Sequence, residues 1–175
     1  MRALDTSSTN DWLYSNGYAL NANGVLDLTQ AGTRLLYEIS HRASVQWSMA
    51  LALSELFRDQ RVCMFVYEWT SDELPQHRVF RSLMVSQEDQ RHVHDRPGHV
   101  FETGVNGDRA ALLELIAFML AFNWQGFLIP APKGTLVWLA DEILEIRADV
   151  GKGEMLKSHM ANHGWFQDPY EEISE

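Results

Sequence analysis

Between Ala110 and Phe122 the chain carries a single charged residue, Glu114. The remaining positions are apolar, so a helix over this run is apolar almost all round. Such a helix must be wrapped by protein on most sides. It falls well short of the roughly 20 residues that cross a bilayer, so it belongs in a folded core, and other elements must surround it. The chain, with 175 residues of which 46% are hydrophobic and 22% charged, has the balance of a globular domain. A domain of this size buries a core without disulfides or metal staples.

The surrounding elements follow from pattern. Asn-Gly and Gly turn signals frame a small ribbon over Gly17 to Leu20 and Val25 to Leu28. With Thr29 as N-cap, a long helix is expected to carry Leu35, Ile39, Ala43, Trp47, Ala50, Leu53 and Phe57 on one face. The run Val62 to Trp69 is apolar on both alternating faces and reads as a strand buried on both sides. Val79 to Val85 reads as its hairpin partner. Asn106-Gly107-Asp108 opens the core helix. Strands are expected over Trp124 to Ile129, Thr135 to Leu139 and Ile143 to Arg147, then a short helix over Glu154 to Asn162 that Gly164 ends. Strands are grouped rather than alternated with helices. The predicted class is therefore α+β, a mostly antiparallel sheet packed against two main helices in a single compact domain. Its bounds are residues 12–164, with a flexible N-terminus over 1–11 and an acidic, aromatic C-terminal tail over 165–175.

Acidic residues outnumber Lys and Arg by 24 to 14, a formal charge of −10. A nucleic-acid partner needs a basic face, so this balance points away from one and toward a basic protein partner. The N-terminal residues lack the apolar core of a secretory signal. A cytoplasmic protein with no membrane contact is expected. The one cysteine, Cys63, lies in the apolar strand and reads as a small core hydrophobe. No nucleophile elbow, phosphate-cradling glycine loop or dinucleotide fingerprint occurs, and no cofactor is expected.

The polar stretch Ser86 to Gly107 stands out between apolar neighbours. It holds His92, His94 and His99. On a strand, His92 and His94 would point to one side and could share a cation. The alternative function this allows is a metal-dependent hydrolase using His92, His94 and His99. The plainer reading is a polar loop that contains histidines. His159 and His163, spaced i and i+4, form a second pair with metal-ligand spacing, against the reading that they complement a helix C-terminus.

Asp141, Glu142, Glu145 and Asp149 gather in the C-terminal third, where Trp165, Phe166 and Tyr170 interleave with further acids. Aromatic anchors in a charged rim are the usual makings of an interface. In size and charge balance the chain resembles the small acidic α+β immunity and antitoxin-type proteins of bacterial competition systems. That resemblance implies a non-enzymatic cytosolic inhibitor of a basic protein such as a toxin nuclease domain. Asp141, Glu142 and Glu145 would be its phosphate-mimicking carboxylates, with Trp165 and Tyr170 as anchors. A self-associating structural protein, with a homodimer as its simplest form, is a further alternative.

Overall fold

The computed structural model describes residues 1–21, 26–28, 32–68, 98–140, 142–165 and 169–174. Along the chain the elements are β1 (Arg2–Leu4), α1 (Thr6–Ser15), β2 (Gly32–Glu38), α2 (Ala43–Leu56), β3 (Arg61–Glu68), β4 (Gly98–Glu102), α3 (Asn106–Phe122), β5 (Gln125–Ala131), β6 (Leu136–Ala140), β7 (Ile143–Ala148), α4 (Gly153–Asn162) and β8 (Tyr170–Ser174). The strands form one eight-stranded sheet in the order β1-β4-β3-β5-β6-β7-β2-β8, and every neighbouring pair is antiparallel. The expected α+β class, with its antiparallel sheet, is what the chain adopts.

Two cores sandwich the sheet, because side chains alternate across it. On one face Val62, Met64 and Val66 of β3 meet α2, α3 and α4, with Leu128, Val137, Leu144, Ile146 and Leu35 beside them. On the other, Cys63, Phe127, Ile129 and Leu136 are covered by Trp12 and Leu13 of α1 and by Tyr18 and Leu26. The expectation of a strand buried on both sides holds for β3. Two glycines let the layers close. A Cβ on Gly126 would fall 2.5 Å from the Phe65 carbonyl oxygen and 2.9 Å from Met119 of α3. On Gly98 it would fall 2.6 Å from the Thr9 hydroxyl of α1.

Helix α3 is less enclosed than its composition predicts. Leu112, Ile116 and Met119 are fully buried, while Glu114 and Phe118 face outward. In α2, Trp47 stands half exposed instead of on the buried stripe, which runs through Met49, Ala50 and Leu53.

Several expected elements differ. The helix expected from Thr29 to Phe57 is a strand, a short connection and a helix. Leu35 and Ile39 satisfy a helical i, i+4 spacing, but Leu35, Tyr37 and Ile39 also alternate with period two. Sheet pairing of Gly32–Glu38 with β7 selects that second pattern. Thr29 itself lies outside the described residues. Residues 1–11, expected as a flexible lead, contribute β1 and the start of α1. Asp5 caps this helix by accepting from the Ser8 amide at 2.7 Å, and Trp12 and Leu13 supply its buried side. Of the ribbon expected before β2, the described residues show a bridge between Leu20 and Leu26, while Val25 lies outside them. So does the strand expected over Val79 to Val85; the partners of β3 are β4 and β5. The tail is not a free appendage, because Tyr170–Ser174 pairs along β2 as the edge strand.

Candidate functional site

At one end of the sheet the chain leaves β2 through Ser40, His41 and Arg42 and turns between β6 and β7 at Glu142. Between these two connections lies an open cleft of about 620 Å³, lined by Glu38, Ile39, Ser40, His41, Arg42, Glu142 and Ile143. Each wall has a local cause. Ser40 turns the chain into α2, its hydroxyl accepting from the Arg42 amide at 3.2 Å. Glu142 sits in the left-handed region at φ 65°, a conformation that costs a non-glycine residue about 1–3 kcal/mol. Two hydrogen bonds hold it there. Its carbonyl accepts from the Ile39 amide at 2.7 Å, and its amide donates to Asn123 Oδ1 at 3.3 Å. Asn123 is itself the left-handed C-cap of α3, its amide bonded to the Met119 carbonyl. The backbone of Glu142 is thus tied to β2 and to the end of the core helix.

The pinned backbone aims a carboxylate into solvent. Glu142 is 58% exposed and approaches His41 Nε2 at 3.7 Å, with His41 81% exposed. A polar contact this open contributes little to stability, so neither side chain is held there by folding. Glu38, also exposed, adds a second carboxylate, and Arg42 is the fixed cation among the lining residues. Chemically the cleft can accept hydrogen bonds from, and neutralise, cationic side chains of another molecule.

Of the five residues expected to form one patch, the structure describes four and separates them. Glu142 lines the cleft. Tyr170 is 68% exposed and opens β8 opposite Leu36, two positions before Glu38, at the same end of the sheet. Asp141 lies outside the described residues. Glu145 is 2% exposed. It receives Arg34 Nε at 3.0 Å and Arg34 Nη2 at 2.9 Å, and Arg147 Nε bonds the same carboxylate. A carboxylate closed between two guanidiniums is an internal tie and does not face a partner. Trp165 is 3% exposed and meets the Tyr37 ring edge-on, centroids 6.0 Å apart; it is a core residue rather than an anchor. Sequence reasoning missed Glu38, His41 and Arg42 as site residues, because they read as the flank of a helix that is a strand end and a loop.

Of the proposed metal cluster, His92 and His94 lie outside the described residues. His99 is 5% exposed on β4, paired opposite Met64. Among the described residues no group of three or more His, Cys, Asp or Glu is placed to hold a metal. Cys63 is fully buried. Burial pushes its thiol up to about 12, against a smaller opposing hydrogen bond from the His99 backbone, so the nucleophilic thiolate is disfavoured.

Fold and cleft together define an α+β protein with an eight-stranded antiparallel sheet and an acidic cleft at one sheet end. Comparison with known protein families, with curated proteins and with solved structures finds no match. Among the described residues no helix is long and apolar enough to cross a membrane.

Proposed function

We propose that this chain acts as a non-enzymatic binding protein, an acidic inhibitor or immunity-type partner that occludes a basic protein such as a nuclease domain. The observation that carries this reading is the backbone of Glu142, held in a left-handed conformation by two hydrogen bonds while its carboxylate stands exposed beside His41 at an open cleft that Glu38 also lines. Local strain retained at a surface position is a mark of function when folding alone does not need the side chain. The formal charge of −10 supports the same reading, since a negative field steers a cationic partner and raises its encounter rate. Glu38 and Glu142 then meet lysines or arginines that would otherwise bind phosphates, and Tyr170 supplies an aromatic contact at the margin.

The test begins with capture of the partner from the native host, followed by association kinetics with the purified pair. The association rate should fall by about tenfold or more between about 0.01 M and about 1 M salt, as the Debye length contracts from about 30 Å to about 3 Å. Glu38→Gln with Glu142→Gln should lower that rate without lowering thermal stability. A rate indifferent to both salt and the double substitution refutes the proposal.

A further inference from the structure

His159 and His163 occupy consecutive turns at the end of α4, both half-buried, with ring centroids 4.6 Å apart and planes inclined by 42°. Each ring is held by a backbone carbonyl. His159 Nε2 lies 2.7 Å from the Ala52 carbonyl oxygen of α2, and His163 Nδ1 lies 2.9 Å from the carbonyl oxygen of His159. A carbonyl only accepts, so the ring nitrogen facing it must carry the proton. In the neutral rings this leaves lone pairs on His159 Nδ1 and His163 Nε2. Metal-binding histidines show this arrangement, with one nitrogen donating to a carbonyl and the other left for the cation.

The separation of the rings fits one ion. A metal–nitrogen bond of about 2.0–2.1 Å, with about 1.1–1.2 Å from nitrogen to ring centre, places each centroid about 3.2 Å from the metal. Two such arms opening at about 90° to 110° put the centroids about 4.5–5.2 Å apart, and the observed spacing is 4.6 Å. We propose that His159 and His163 form a two-imidazole chelate for a divalent transition-metal ion of the Zn²⁺ or Cu²⁺ class, bound through His159 Nδ1 and His163 Nε2. No third protein ligand joins them among the described residues, so water or a group from another molecule fills the remaining positions. Because His159 also grips Ala52, the ion ties α4 more firmly to α2.

Zinc titration of the full chain by calorimetry tests this, with His163→Ala as the main variant and His92→Ala/His94→Ala as the control for the other histidine pair. Loss of the second imidazole should weaken zinc binding by about tenfold or more, at least as much as loss of an outer hydrogen bond to a ligand, while the control pair binds as wild type. In the unmodified chain, Zn²⁺ should protect His159 and His163 from diethylpyrocarbonate, read by mass spectrometry, so the test does not depend on the variant folding. No zinc binding, or protection confined to other histidines, overturns the proposal. So does a folded His163→Ala chain with wild-type affinity.

Discussion

Replacing Glu145 by Gln separates a carboxylate that holds the fold together from one that stands exposed at the cleft. Glu145 accepts two hydrogen bonds from Arg34 and one from Arg147 at 2% exposure, and Arg147 also reaches the Leu28 carbonyl. Hydrogen bonds to charged groups contribute about 1.5–3 kcal/mol each, and breaking a fully buried ion pair costs about 3–5 kcal/mol. The arginine side chains are 30% and 23% exposed, so water recovers part of that loss, and Gln keeps one acceptor. A destabilisation of about 2–3 kcal/mol remains. In a chain of this size, each kcal/mol moves Tm by about 2–4 °C, so Tm should drop by about 4–12 °C. Urea unfolding followed by far-UV circular dichroism measures the free energy, with Glu142→Gln as the reference, expected to lie within about 0.5 kcal/mol of wild type. If Glu145→Gln is as stable as that reference, the triad contributes nothing and the internal role assigned to Glu145 is wrong.

Cys63 should resist iodoacetamide at pH 8 in the folded protein and react fully in urea, since its thiol is buried and pushed up to about 12; rapid labelling of the native chain would contradict its placement in the sheet. Burial also pushes Tyr18 up to about 12, against a weaker backbone hydrogen bond from Gly134, and its hydroxyl donates to the Pro130 carbonyl at 2.8 Å. The folded chain therefore keeps a proton that the unfolded chain releases near pH 10. This contribution to stability is complete below about pH 10 and is lost as the pH rises toward about 12. Tyr18→Phe should lower stability at neutral pH by about 1 kcal/mol and flatten the alkaline decline. Urea midpoints of the two proteins that fall in parallel above pH 10 would show that Tyr18 does not titrate as placed.

Sequence reading located what depends on local pattern. The core helix, β3, and the run of strands from Gln125 to Ala148 were legible because apolar periodicity and turn residues mark them directly. It failed where two periods overlap or where pairing is distant. Leu35 and Ile39 fit a helix until β7 and β8 take up the backbone of β2. Tyr170–Ser174 has no strand signature strong enough to outweigh its acids. Its order comes from hydrogen bonds to a strand about 140 positions earlier in the chain, a long-range pairing that local preference does not encode.

The site was harder to see for a related reason. Glu142 and Glu145 are three positions apart and chemically alike, yet one lines a cleft and the other is sealed. The difference is set by what stands across the sheet. Glu145 lies opposite Leu36 on β2, within reach of Arg34 two positions earlier, while Arg147 follows it on β7. Glu142 falls in the turn, beyond the paired rows, where its carboxylate approaches the exposed imidazole of His41 at 3.7 Å. Charge counting treats the two carboxylates as equal. Register does not, because it decides which acid meets a guanidinium inside and which is left exposed to solvent. Formal charge therefore overstates the acidic surface by the carboxylate that register seals inside, Glu145, while Glu142 stands exposed where the strands end.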